Sequence, residues 1–278
     1  MNQRNLRYLF IGIAVLLTAG LYFAPSQINN KPVPKERPAM PKQQEAFRME
    51  SLAETAKQSL KDEQKGYISA LEGQYSADTT KTFLLDSLGK AWDEAQIPAL
   101  SAWYFEKKAS RQPSEENYLA AAYRYFDAFK IAGDNILKAQ LVDKAISNYQ
   151  KVLEINPHNL NAKTDLGVCF TEGPEPMKGI LMLREVVQED PKHEMAQLNL
   201  GFLSVKSGQF DKAIDRFTAV MNMNQKRKDV YYFLGHTYFE AGKKDSAIFW
   251  LEKFKKESDD YELIQQAEQI IKQVNQQP

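Results

Sequence analysis

Apolar residues recur at helical spacing through most of the chain. Ala145, Tyr149 and Val152 follow at steps of four and three, as do Ala213, Phe217 and Val220, and again Ala247, Leu251 and Phe254. Such steps gather apolar side chains on one face of a helix. The pattern also returns in register. Small residues stand at Ala145, Gly179, Ala213 and Ala247, a spacing of 34 each time. A Leu-Gly pair repeats with the same spacing at Leu166-Gly167, Leu200-Gly201 and Leu234-Gly235. Pro157 and Pro191, continued in register by Gln225 and Asp259, mark the ends of units. Turn formers fall between the helices at Gly208, Gly242 and Gly173-Pro174. The predicted unit is therefore a helix–turn–helix in which small residues let the two helices approach closely. One such pair cannot bury its apolar face alone, so stacking of units must supply the core.

These residues resemble the tetratricopeptide repeat family, whose unit is a helical pair of 34 residues. The family order of Leu-Gly, aromatic, Ala, aromatic and Pro is matched by LGFLSVKSGQFDKAIDRF (200–217) and LGHTYFEAGKKDSAIFWL (234–251). Units 160–193, 194–227 and 228–261 fit without gaps. Unit 82–115 keeps Leu88, Gly89, Trp92, Phe105 and Pro113, but has Ser101 at the small site and Lys108 where an apolar residue is expected. Unit 116–159 has Tyr123 where Gly is usual and about ten extra residues around Gly133-Asp134, read as a lengthened helix or a loop. The fold class implied is all-α: a superhelix of tandem units over 82–261, closed by a capping helix at 262–278. Residues 43–81 are helical in pattern and read as an N-terminal cap or a weak coiled coil.

Ahead of the helices, residues 8–24 (YLFIGIAVLLTAGLYFA) carry no charge. As a helix this run is roughly 25 Å long, near the lower limit for crossing a bilayer. Tyr8 and Tyr22 lie near its ends, with Arg4 and Arg7 before it. A cleavable signal peptide has the same layout, but small-x-small sites are poor here, which favours an uncleaved transmembrane anchor over 1–24. Residues 25–42 contain five prolines and read as an extended spacer. The basic residues directly before the run favour a single-pass protein with its N-terminus inside. That puts the repeats on the periplasmic side of a bacterial inner membrane.

Charge and chemistry narrow the function further. Lys plus Arg equals Asp plus Glu, 36 against 36, so there is no basic excess for nucleic acid. Cys169 is the only cysteine and sits among apolar neighbours. No phosphate-binding loop, dinucleotide fingerprint or nucleophile elbow is present. His158 and His193 fall in inter-unit turns, and no cluster has metal-ligand spacing. The expectation is no catalysis, no cofactor and no metal.

Resemblance to the family implies that the first helices of successive units line a concave groove. It places Leu198, Asn199, Phe202, Tyr232, Phe233, His236 and Phe239 in that groove as partner-binding residues. Aromatic side chains on such a face suit a protein or peptide ligand, unless the C-terminal helix or the lengthened unit covers them. Asn199 also fits the middle site of the family's carboxylate clamp. However, Thr164, Val168, Asp229 and Phe233 replace its other members, so the clamp is absent. The function expected is a membrane-tethered scaffold or assembly factor. The alternatives are a permanent structural subunit of an envelope complex, or a factor similar in architecture to the anchored repeat proteins of bacterial cytochrome c assembly.

Overall fold

A computed structural model describes residues 48–173 and 175–276. The expected membrane span at 8–24, the spacer at 25–42 and the first residues of segment 43–81 lie outside the described residues. Among those described, no helix is long and apolar enough to cross a membrane.

The described residues form thirteen helices and no strand. They are α1 (Met49–Ser59), α2 (Asp62–Ala77), α3 (Phe83–Glu94), α4 (Pro98–Arg111), α5 (Glu115–Ile131), α6 (Asn135–Ile155) and α7 (Leu160–Glu172). Then follow α8 (Pro176–Glu189), α9 (Glu194–Lys206), α10 (Phe210–Met223), α11 (Asp229–Glu240), α12 (Lys244–Glu257) and α13 (Tyr261–Gln276). From α2 onward each helix packs on the next, while α1 packs on α4 and α13 packs on both α11 and α12. Packing between sequence neighbours is the signature of a solenoid.

The 34-residue period has a steric cause. A side chain added at Gly89, Gly201 or Gly235 would put its Cβ 2.5 to 2.6 Å from Phe105, Phe217 or Leu251 respectively. At Gly167 the nearest atom, Leu183 Cγ, would be 3.1 Å away. Each glycine of a first helix thus receives a large side chain from the second helix of its own unit. Phe217 and Leu251 are fully buried by this fit. In the reverse direction Ala145, Ala213 and Ala247 are fully buried, and Gly179 lies directly against the backbone of Gly167.

The turns repeat as well. Asn156, Asp190 and Asn224 each accept the N–H of the residue two positions on, at 3.2, 2.9 and 3.2 Å. These side-chain turns stop one unit and start the next. Asn159 and His193 then cap α7 and α9 by accepting the N–H of Ala162 and Ala196. His193 Nε2 also meets Asn161 Oδ1 at 3.1 Å, so it does turn and capping work. Within units, Gly208 and Gly242 adopt φ of +71° and +70° at the helix C-termini, the left-handed conformation glycine tolerates best.

In unit 116–159 the extra residues enter the helices. α5 has 17 residues and α6 has 21, joined only by residues 132–134. Asp134 caps α6 through Ile136 and Leu137 N–H at 3.0 and 2.8 Å. Tyr123, where glycine is usual, lies edge-on to Tyr149 with ring centroids 5.8 Å apart. Ser101 is fully buried at the small site, and Lys108 is satisfied by Asp86 at 3.0 Å.

Candidate functional site

The groove residues divide into two sets. α13 packs on α11 and α12, and its Leu263 and Ala267 join one apolar cluster with Leu198, Tyr232 and Phe233. Tyr232 is 4% exposed and its hydroxyl lies 3.0 Å from Gln266 Oε1. Phe233 is 7% exposed, with Phe202 edge-on to it at 4.8 Å between centroids and Phe217 at 5.7 Å. Leu198 is 1% exposed. The expectation that Leu198, Tyr232 and Phe233 present themselves to a partner is therefore corrected. The terminal helix meets Tyr232 through Gln266, while Phe233 is enclosed by Phe202 and Phe217, so the aromatic end of the groove is core.

Asn199, Phe202, His236 and Phe239 remain half-buried, and Met195 and Lys206 are exposed. Asn199 Nδ2 donates to Met195 O at 2.8 Å, while its carbonyl oxygen accepts no hydrogen bond among the described residues. Val168 on α7 and Val205 on α9 are half-buried beside this strip. What stays open is thus a mixed amide and apolar surface on α9, bordered by α7.

Burial shapes the chemistry near α11. His236 is pushed down to about 4 by loss of water around its ring, so it is neutral near pH 7. Glu240, 3.9 Å away, is raised from its usual value by the same loss. Tyr232 is pushed up to about 12 by burial. Cys169 is fully buried and its thiol is raised for that reason, so the free thiolate is disfavoured. Among the described residues no group of three or more His, Cys, Asp or Glu could hold a metal ion.

A second polar concentration lies between α2, α4 and α6. Glu106 accepts from Tyr125 Oη at 2.8 Å, Asn148 Nδ2 at 3.2 Å and Lys144 Nζ at 3.0 Å. Beside it, Lys107 lies over Trp103 and Arg111 faces Tyr75. Sequence reasoning passed over this face, although Trp103, Lys107 and Arg111 are one helical turn apart.

A family model described as tetratricopeptide repeat matches residues 204–271, which run from the end of α9 into α13. Those residues hold the glycine-to-leucine fit of Gly235 and Leu251 and the terminal helix that covers it. Over these residues the chain matches the tetratricopeptide repeat family. A solved tetratricopeptide repeat protein from Parabacteroides merdae is 17% identical, covers 82% of this chain and 86% of its own, and superposes with a TM-score of 0.60. PilW, described as a type IV pilus biogenesis factor, is 20% identical, covers 69% of this chain and 90% of its own, with a TM-score of 0.51. At these identities the likeness concerns the fold alone. Among curated proteins, the RNA polymerase-associated protein CTR9 of Saccharomyces cerevisiae is 29% identical over 113 residues, 40% of this chain and 10% of that protein. The matches to the first curated relatives span 10%, 16% and 23% of those proteins' lengths. The chain thus shares the helical architecture of these repeat proteins.

Proposed function

We propose that this tetratricopeptide repeat protein binds a protein partner through the uncovered strip of its concave surface, and that residues 8–24 tether it to a membrane. The observation that carries the first claim is the contrast along the groove: Tyr232 and Phe233 are buried, whereas Asn199, Phe202 and Lys206 on α9 stay accessible. An amide with an unused acceptor beside apolar surface suits an extended peptide, whose backbone N–H can pair with Asn199 Oδ1 while its side chains meet Phe202 and Val205. His236 and Phe239 border the same strip and extend the expected contact.

The tether reading rests on the uncharged run and the proline-rich spacer in the sequence. With the N-terminus inside, the repeats would face the periplasm of a bacterial cell. Alkaline extraction of membranes and protease accessibility of the full chain test this. Release by carbonate, or protection of the repeats on the cytoplasmic side, would overturn it.

The partner claim is tested by affinity purification of the full chain beside an Asn199→Arg/Lys206→Glu variant. Both positions lie on the open face, so the variant should fold normally by circular dichroism. Proteins recovered with wild type and lost with the folded variant support the strip as the working surface. The same proteins recovered with both would place the contacts elsewhere. A permanent-subunit reading would instead show one stoichiometric partner whose removal destabilises the chain.

A further inference from the structure

We infer that the pocket between α2, α4 and α6 binds an acidic peptide segment, at a site separate from the concave strip. The pocket has a volume of about 500 Å³ and is walled by Tyr75, Trp103, Glu106, Lys107, Arg111 and Lys144. Two of its cations make no direct ion pair among the described residues, although Glu50 and Glu72 act on Lys107 from a distance. Lys107 Nζ sits 3.3 Å from the Trp103 ring centroid and 5.3 Å from that of Tyr104. Arg111 donates to the neutral carbonyl of Thr79 at 2.6 Å and stands 5.7 Å from the Tyr75 ring. Neither enters an ion pair among the described residues, although nearby Lys108 and Lys144 are paired with Asp86 and Glu106.

Glu106 does not supply the missing charge. Its carboxylate already accepts from Tyr125, Asn148 and Lys144, so its charge is matched inside the protein. Half-burial lowers the proton affinity of Lys107, and the distant attraction of Glu50 and Glu72 does not offset it. An arriving carboxylate would stabilise both cations in a partly dry setting, where charge-assisted hydrogen bonds are strong.

The arrangement favours a peptide over other anions. Lys107 and Arg111 are separated by one helical turn, roughly 5–6 Å, which suits successive acidic side chains better than one compact anion. Trp103 and Tyr75 give flat apolar surface for the chain between those carboxylates. The wall also carries Glu106, and the balanced charge of the whole chain offers no wide positive field for nucleic acid.

The test is fluorescence anisotropy with the full-length chain and a fluorescein-labelled peptide of six glutamates. Saturable binding is expected, weakened about tenfold in a Lys107→Gln/Arg111→Gln variant and unchanged in Lys192→Gln, an exposed lysine on an inter-unit turn. A six-lysine peptide should not bind. Because Arg111 is exposed, Arg111→Gln alone keeps the test open if the double variant fails to fold by circular dichroism. Equal binding by wild type and folded Arg111→Gln would overturn the assignment, as would an equal loss with Lys192→Gln. Stronger competition by inorganic pyrophosphate than by unlabelled peptide would make the site a phosphate site and also overturn it. None of these outcomes depends on the concave strip.

Discussion

Gly201 and Phe217 interlock: a Cβ on Gly201 would fall 2.5 Å from Phe217 Cε1, inside any permitted contact. Phe217 cannot swing away, because it is 1% exposed and its ring already touches Phe202 and Phe233. Gly235 and Leu251 repeat the relation, with the backbone nitrogen of Leu251 also at 3.0 Å. Gly235→Ala should therefore destabilise the chain by about 1–3 kcal/mol despite alanine's better helix propensity. Gly73→Ala, in the exposed interior of α2 with nothing within 4 Å, should stabilise it by about 0.5–1 kcal/mol. Urea unfolding of the two variants checks both signs.

Gln96 holds φ of +61° at the end of α3, the place that Gly208 and Gly242 hold at the ends of α9 and α11. The same hydrogen bonds close all three turns: Ile97, Gln209 and Lys243 donate to Trp92, Ser204 and Tyr238. A non-glycine residue here is strained, so Gln96→Gly should gain about 0.5–1 kcal/mol after the entropy cost of glycine is counted. A lower urea midpoint for Gln96→Gly would contradict the strain.

Two buried tyrosines should respond oppositely to loss of the hydroxyl. Tyr149 is fully buried and its oxygen has no hydrogen-bond partner among the described residues, so Tyr149→Phe should leave stability unchanged or raise it by about 1 kcal/mol. Tyr125 donates to Glu106 at 2.8 Å, so Tyr125→Phe should cost about 1–2 kcal/mol by removing a charge-assisted bond. Parallel denaturant curves separate the two.

Acid should weaken the fold through His236. Its folded value of about 4 lies below the ordinary histidine value near 6.5, so the unfolded chain takes the proton first. Stability attributable to His236 is full above about pH 6.5 and is lost progressively as pH falls toward 4, by at most about 3 kcal/mol. Glu240, raised by burial, acts in the opposite direction, so the comparison with His236→Gln isolates the histidine. Thermal unfolding between pH 4 and 7 should show a smaller acid loss in that variant. An identical slope would mean the ring is hydrated.

The period of the fold was legible because the fit of a glycine against a large side chain fixes residue type at both ends. Gly201 and Phe217, or Gly235 and Leu251, cannot change independently. The fate of Tyr232 and Phe233 was less legible. A first helix of any unit can face solvent or the next helix, and only the packing around it decides which. Gln96 was hidden because glutamine does not announce a positive φ. The face of Trp103, Lys107 and Arg111 was hidden behind Lys108, which stood out as a polar residue at an apolar position and proved to be satisfied by Asp86.

The central claim is that partners engage the α9 strip and not the outer helices. A photoreactive amino acid placed at position 199 of the full chain, and separately at exposed position 181 on α8, tests it directly in cells. The account predicts a discrete protein adduct from position 199 that is absent from position 181 and is lost when Lys206→Glu is added. Adducts from position 181 with none from position 199 would contradict it.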